Sequence, residues 1–501
     1  MLVILLYGKI DKNQLKYTNQ WITRKPAFGL LFGYNRPMDQ KATLTAARRI
    51  AQLAAERGGR AYFVGGCVRD KYMKKESKDV DIEVHGLEPQ TLWELLQQVG
   101  EPAVFGESFG VYSLRHLNLD IAMPRREHAV GRGHRDFAVS VDPHIGPKEA
   151  SHRRDFTVNA MMEDVLTGEL IDPWNGLADL KAGILRHVDD NSFPEDPLRV
   201  LRAAQFAARF EFEVAPETVE LCRGIDLSAL SMERVEGELK KALLQSRKPS
   251  IFFEVLREME QLEPWFAELK SLIGLQQDPI YHPEGDVWVH TMEVVDRGAA
   301  RRDKAEQPYA FLLLCLCHDL GKTTTSAVSH KDGRIHSYDH ETEGLPLVES
   351  LLQRICSEKA VRAYVRNMVP LHMKPNVAAY ARPSVKSTNH LFDGAESPLD
   401  LIWFAEADRP DFAGKDEFHG DTAFLMERLR IYRETMAKPF VAGQDLIDAG
   451  LTPGKDFSEL LAYAHKLRLA GIERSSALKQ TLAYARKLGY NRAEKEGVNE
   501  I

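Results

Sequence analysis

Asp79 and Asp81 are separated by one residue in the run DVDIEV, where Asp79, Asp81 and Glu83 alternate with Val80, Ile82 and Val84. That is the period of a strand, so the aspartates project from one face while the apolar side chains anchor the other. Two carboxylates at this spacing repel each other unless a cation lies between them. Hard oxygen donors suit Mg²⁺, which takes one or two carboxylates together with substrate phosphates. Upstream, the Gly65-Gly66 turn lets backbone approach a polyphosphate, and Arg69, followed by Asp70, sets positive charge beside it. The segment LNLDIAM, residues 117–123, alternates again and offers Asp120 from a neighbouring strand as a third carboxylate, with Glu83 the second choice. Such a set suits two metal ions, one activating an attacking hydroxyl and the other steadying the leaving phosphate oxygens. A short acidic alternation alone reads equally as a solvated edge strand. The glycine turn and Arg-Asp pair ahead of it turn the reading towards nucleotidyl transfer.

Further along, residues 152–161 read HRRDFTVNAM. On a helix the adjacent Arg153 and Arg154 diverge by about a third of a turn. One is then expected to reach a triphosphate and the other RNA or a nearby carboxylate. Asp155 and Asn159, four apart, share a helix face at a spacing suited to a ribose hydroxyl. A surface ion-pair cluster is the alternative for the Arg-Arg-Asp run by itself. In EDPLR, residues 195–199, Asp196 and Arg199 are co-facial, and Arg202 follows in an apolar helix. A carboxylate acceptor beside a guanidinium donor matches the Watson–Crick edge of a base with an exocyclic amine, as in C and A; G and U do not offer the same pattern. Glu195 or Asp196 also reads as a helix cap, with Pro197 in the first turn.

A second chemical centre begins at His290. The apolar run LLLCLCHDLGK places His318-Asp319 at a helix end, with His336 and His340 following and Asp408 much later, close to Asp411. Imidazole nitrogen with carboxylate oxygen suits Mn²⁺, Ni²⁺ or Fe²⁺ better than Mg²⁺, and a bound ion of this kind activates water for phosphoester cleavage. His336 and His340 are candidates for a second metal or a phosphate contact, Lys322 for the latter. His282, His330 and His372 read as ordinary hydrogen-bonded histidines.

These motifs together resemble a family. GGCVRD followed by DVD, then RRDFTVNA, DPWNGLADL and EDPLR, is similar to the ordered signature of the class II CCA-adding enzymes and bacterial poly(A) polymerases, over roughly residues 61–210. The resemblance implies a polymerase-β-like head in which Asp79, Asp81 and Asp120 hold Mg²⁺. Gly65, Gly66, Arg69, Asp70, Arg153, Arg154, Asp155, Asn159 and Arg202 would bind nucleotide, and Asp196 with Arg199 would select CTP and ATP. It implies tRNA as the partner. The His290, His318, Asp319, Asp408 order resembles the HD phosphohydrolases, with Mn²⁺, Ni²⁺ or another divalent ion. One departure is that the family's first motif commonly continues DxDxxT, where this chain reads DVDIEVHG. A bacterial poly(A) polymerase is the nearest alternative function, and a phosphohydrolase whose head only binds RNA or nucleotide is another. The polar stretch from Pro124 to His152 occupies the place of a flexible loop that family members completing CCA carry, which favours use of ATP.

The 501 residues suffice for several domains. The expected architecture is multidomain α+β. Residues 1–40 are expected as a partly disordered N-terminal extension, and 41–177 as a small mixed-sheet nucleotidyltransferase head. An all-α neck and body follows over 178–275, an all-α HD domain over 276–425, and a helical C-terminal segment over 426–501. A net charge of −7 does not exclude RNA, since a basic stripe suffices, and Arg125–Arg135 with Arg199–Arg209 offers one. Five cysteines show neither zinc spacing nor a paired framework, which implies a reducing, cytoplasmic setting. MLVILLYG reads as neither signal peptide nor anchor, so no membrane partner is expected. Assembly as a homodimer is left open.

Overall fold

The computed structural model describes residues 40–77, 79–104, 111–129, 137–409, 421–454 and 457–489. The expected N-terminal extension, the tip of the polar stretch at 130–136 and Asp411 lie outside the described residues.

The head is built on a seven-stranded mixed sheet. Its strands are β1 (Arg60–Val64), β2 (Val80–His85), β3 (Pro102–Val104), β4 (Val111–Leu114), β5 (Leu119–Ala122), β8 (Met162–Asp164) and β9 (Leu170–Ile171), in the order β3-β4-β5-β2-β1-β8-β9. β2 and β5 run parallel, and the other pairs are antiparallel. Ile82, Val84 and Ile121 point to one face, where they pack with Ala47, Ile50 and Leu95 from the helices Gln40–Ala55 and Pro89–Gln97. Burying that face fixes the register, because a one-residue slip would turn every apolar side chain outward. The opposite face is thereby left to Asp81, Glu83 and Asp120.

The polar stretch after Pro124 is more regular than expected from its composition. It forms an antiparallel ribbon of β6 (Arg125–Ala129) and β7 (Phe137–Val141), followed by the helix Pro147–Ser151. The Arg-Glu-His sequence of β6 carries no apolar alternation, so its strand character comes from pairing with β7, where Phe137, Val139 and Val141 do alternate.

Beyond the sheet the described chain is mostly helical. One continuous core runs from Val68 and Phe156 in the head through Phe206, Leu239 and Phe252 to Leu312, Leu401 and Ala407. At its centre is the helix Pro308–Cys317, in which Tyr309 to Cys317 are all buried. Each fully buried Leu or Phe there contributes about 1.5–3 kcal/mol, so the segment preceding His318 is anchored on every side. All five cysteines are free thiols, and Cys315 and Cys317 act as small core residues. No helix among the described residues is long and apolar enough to cross a membrane.

Candidate functional site

In the head, the parallel pairing of β2 with β5 sets Asp81 directly beside Asp120. Asp79 sits just before β2 and accepts a hydrogen bond from the Asn118 side chain at 2.6 Å. Burial pushes the Asp81 carboxyl up to about 6, and the charges of Asp120 and Asp79 add to this against Arg154. Asp120 is also raised, by desolvation and by Asp79. Asp81 and Asp120, side by side on two interior strands, therefore resist charge, an environment that a divalent cation relieves.

Gly65 adopts φ 69°, a left-handed conformation that disfavours a side chain, and a Cβ there would stand 3.3 Å from the Arg154 guanidinium. The glycine turn and Arg154 thus form one wall beside Asp81. Arg153 and Arg154 lie not on a helix but on the turn after Pro147–Ser151. Contrary to the helical expectation they face the same group: both guanidinium groups approach Glu83 Oε2, at 3.6 and 3.9 Å. Glu83 is fully buried and its other oxygen meets His85 Nε2 at 2.9 Å. Burial pushes its carboxyl up, but the His85 hydrogen bond and the Arg154 and Arg153 charges outweigh this and hold it low. Glu83 shares the Asp81 face, yet it is committed to orienting two arginines and is not the third carboxylate beside Asp81.

The RRD element is tied to the helix Leu198–Phe210. Asp155 accepts from Arg202 Nε at 2.7 Å and from Asn159 at 3.0 Å, and Asn159 in turn accepts from Arg69 at 2.6 Å. Arg69 is 4 % exposed, pairs with Asp70 at 2.7 Å and lies over the rings of Phe206 and Phe210. Spacing made Asp155 and Asn159, and the family resemblance Arg69 and Arg202, candidates for nucleotide contact. Their side chains hold one another, because the helix Leu198–Phe210 packs against the turn that carries them. Asp155 and Asn159 do not share a helix face either, since only Thr157–Asn159 is helical, as a single tight turn.

Asp196 and Arg199 stand at the entry to the same helix. Asp196 accepts from the Leu198 backbone and from Arg234, whose Nη2 lies 2.9 and 2.8 Å from the two carboxylate oxygens. Arg199 donates to the carbonyls of Ser192 and Arg153, at 2.6 and 2.5 Å. Arg234, on the helix Met232–Gln245, carried no sequence signal because it lies 38 residues from its partner. A cleft of about 180 Å³ opens alongside, lined by Arg125, Arg126, His152, Arg153, Ser192 and Glu195.

The second centre lies in the helical region. His290 comes from the helix Val287–Ala299, His318 and Asp319 follow Pro308–Cys317, and Asp408 ends the helix Pro398–Asp408. His290 Nε2 is 3.3 Å from His318 Nε2 and 3.2 Å from Asp408 Oδ1, and His318 Nε2 is 3.2 Å from Asp319 Oδ2. The structure also brings in His340 and His372, both buried around the other oxygen of Asp319. His372 is therefore not the isolated core histidine that its sequence context suggested. His336 is on a short strand, bonded to Asp332 at 3.0 Å, and is not one helical turn from His340. Gly321 of the HDLGK run permits this convergence: a Cβ there would collide with the His340 carbonyl oxygen.

Each imidazole is oriented by its Nδ1. His290 Nδ1 meets Glu284 at 2.6 Å, and those of His318, His340 and His372 meet the carbonyls of Cys315, Ser337 and Val369 at 3.0, 2.8 and 2.7 Å. Carbonyl acceptors fix the proton on Nδ1 and turn the Nε2 lone pair inward, the arrangement of metal-bound histidine. Glu284 and His282, bonded at 3.0 Å, form a further layer. Burial opposes a proton on His290, but Asp408 and Glu284 outweigh it and raise its pKa to about 9. Burial and the neighbouring His318 push His372 down to about 3. Lys322 Nζ is 2.8 Å from Asp319 Oδ2. The centre floors a cavity of about 420 Å³ with Tyr281, Tyr338, Met373 and Tyr380 among its lining residues.

The mixed-sheet head and helical remainder define the class: a chain with a nucleotidyltransferase head of the poly(A) polymerase kind. Residues 61–186 match the family model described as the poly A polymerase head domain. The multifunctional CCA protein of Alkalilimnicola ehrlichii is 35 % identical, over 83 % of this chain and 98 % of the relative. That of Nitrosococcus oceani is 36 % identical over 78 % and 93 %. In fold, the chain is similar to a CCA-adding enzyme in an apo form, with TM-score 0.61 at 21 % identity, covering 91 % of this chain and 96 % of that one. It is similar also to the Thermotoga maritima CCA-adding enzyme complexed with tRNA, with TM-score 0.58 at 21 % identity over 88 % and 95 %. The chain belongs to the multifunctional CCA protein family.

Proposed function

We propose that the chain adds C, C and A to the 3′ end of tRNA from CTP and ATP, and that its histidine–aspartate centre hydrolyses phosphoesters. The observation carrying the first part is the pairing of Asp81 with Asp120 beside the Gly65 turn and Arg154. It is supported by relatives named multifunctional CCA proteins and by fold neighbours described as complexes with tRNA, ATP and CTP.

Asp79, Asp81 and Asp120 would hold Mg²⁺, and the raised carboxyl pKa values of Asp81 and Asp120 fit a site that gains from a cation. When bound, the metal lowers the pKa of the RNA 3′ hydroxyl and offsets charge on the departing pyrophosphate. The residues supply the rest. Arg154, steered by Glu83, neutralises the triphosphate next to the glycine turn. Asp155, Asn159, Arg69 and Arg202 act as positioning residues that lock this wall to the neck helix. Asp196 and Arg199 read the base edge, with Arg234, which holds the Asp196 carboxylate at 2.9 and 2.8 Å, as its positioning residue. Arg125 and Arg126 offer charge to the RNA backbone.

In the second centre, His290, His318, Asp319 and Asp408 would hold Mn²⁺ or Ni²⁺, and the inward Nε2 lone pairs fit such an ion. When bound, it supplies Lewis acidity and activates water. Tyr281, Tyr338 and Tyr380 are 51, 72 and 79 % exposed at the cavity mouth. Rings at that position offer faces on which bases of an RNA end stack.

Purified protein with Mg²⁺ and tRNA lacking its 3′ end, given CTP, ATP or both, tests the reading. Growth by CCA that stops there is expected. A long A tail from ATP alone would replace it with poly(A) synthesis, and no growth would refute it.

A further inference from the structure

We propose that His85 is a positioning residue of the nucleotide site: as a buried imidazolium it balances the charge of Glu83, so that Arg153 and Arg154 keep theirs for the incoming triphosphate. The inference rests on reading the head as a nucleotidyl-transfer site, and adds to it a residue that lies behind the arginines.

His85 ends β2, so Asp81, Glu83 and His85 follow one another along one face of the sheet. It is 7 % exposed, and its ring packs edge to face against Tyr62 of β1 with centroids 5.1 Å apart. Nδ1 meets the carbonyl oxygen of Ile145 at 3.1 Å, and Nε2 meets Glu83 Oε1 at 2.9 Å. A carbonyl oxygen only accepts, so Nδ1 carries a proton. The second oxygen of Glu83 faces the guanidinium groups of Arg153 and Arg154, which only donate, at 3.6 and 3.9 Å. Glu83 is thereby a carboxylate, and Nε2 donates to it. A ring that donates from both nitrogens is positively charged.

The charge balance gives this contact a role in binding. Beside a neutral ring, Glu83 would set one negative charge under the two guanidinium groups and cancel half of what they offer a triphosphate. Beside a charged ring, Glu83 and His85 sum to zero and both arginine charges remain. Glu83 still aims the arginines, but its separations from them exceed the roughly 2.8 Å of a closed charged hydrogen bond. They are therefore free to turn towards phosphate oxygens. Ile145 lies just ahead of the helix Pro147–Ser151, so His85 also ties β2 to the segment that leads into the arginine turn. The Arg153 carbonyl on that turn accepts from Arg199 at 2.5 Å, which joins the same support to the residue proposed to read the base.

The test reads nucleotide affinity in the full-length chain, by calorimetry with CTP or ATP, Mg²⁺ and no RNA. His85→Gln keeps a donor towards Glu83 and removes the charge. Dissociation constants for both nucleotides should rise about tenfold, the effect of one charge acting through protein at an effective dielectric of about 20. Glu83→Gln/His85→Gln removes both charges, and should bring the constants back to within about threefold of wild type. A merely structural role gives the opposite order, since the double variant disturbs more contacts than the single one. Affinity unmoved by His85→Gln, or no recovery in the double variant, would overturn the proposal. If His85→Gln fails to fold, His85→Asn and Glu83→Gln/His85→Asn, which retain a donor to the Ile145 carbonyl, decide in their place. Wild-type protein that binds both nucleotides yet extends no tRNA would overturn the transferase reading and leave the role of His85 in binding intact. Wild-type protein that binds neither would overturn both.

Discussion

Replacing Asp155 by asparagine removes one charge from the junction of head and neck, and its cost can be worked out from the contacts. Asp155 is 7 % exposed and accepts from Phe156 N at 2.8 Å, Asn159 Nδ2 at 3.0 Å, Arg202 Nε at 2.7 Å and Arg202 Nη2 at 2.5 Å. Asparagine keeps the shape but turns one oxygen into a donor, which must then face another N–H. Breaking a buried ion pair from one side costs about 3–5 kcal/mol. The Arg202 side chain is 30 % exposed, so water recovers part of the loss and about 3 kcal/mol is expected. A chain of this size does not unfold in one step, so the value is read in urea at the transition that also moves in Arg202→Met. A double-mutant cycle of the two should give a coupling of about 2–3 kcal/mol. The effect should also depend on acid. Burial pushes the Asp155 carboxyl up, but the Arg202 charge and the Asn159 hydrogen bond outweigh it and hold it below the ordinary range. A depressed folded-state pKa means a contribution present above the unfolded value of about 3.9. It is lost as pH falls through the lower folded value, so wild type and D155N should converge there. A coupling below about 0.5 kcal/mol at neutral pH would refute the argument that this pair joins the two parts.

Asp81→Asn or Asp120→Asn should lower nucleotidyl transfer by about a thousandfold, corresponding to several kcal/mol of lost transition-state stabilisation, while His318→Ala should abolish phosphoester hydrolysis instead; assaying both reactions on each variant checks the separation. Arg234→Ala removes a charged hydrogen-bond partner of Asp196, contributing about 1.5–3 kcal/mol. Preference for CTP and ATP over UTP and GTP, as the ratio of kcat/KM, should fall about tenfold or more. Tyr380→Ala, at a ring 79 % exposed, should leave stability unchanged and weaken nucleotide phosphoesters by about 1–3 kcal/mol in kcat/KM. A base-free phosphoester should be unaffected, and equal loss on both would remove the stacking role.

Local pattern determined a good deal by itself. The alternation in DVDIEV and LNLDIAM determined two strands and the face that carries Asp81 and Asp120, because burying Ile82, Val84 and Ile121 leaves no other orientation. The apolar run before His318 fixed a buried helix ending in a histidine–aspartate pair for the same reason. Tertiary structure decided which polar groups meet. Arg153 and Arg154 looked divergent and converge on Glu83 because a turn, not a helix, carries them. Arg69 and Arg202 meet Asn159 and Asp155 only because the helix Leu198–Phe210 packs over the turn that carries the two acceptors. Glu284, Arg234 and His372 had no readable signal, since each meets its partner only through the approach of separate helices. Periodicity is a property of neighbours in sequence and survives in any compact fold that buries the apolar face; the pairing of distant charges depends on how those buried faces dock.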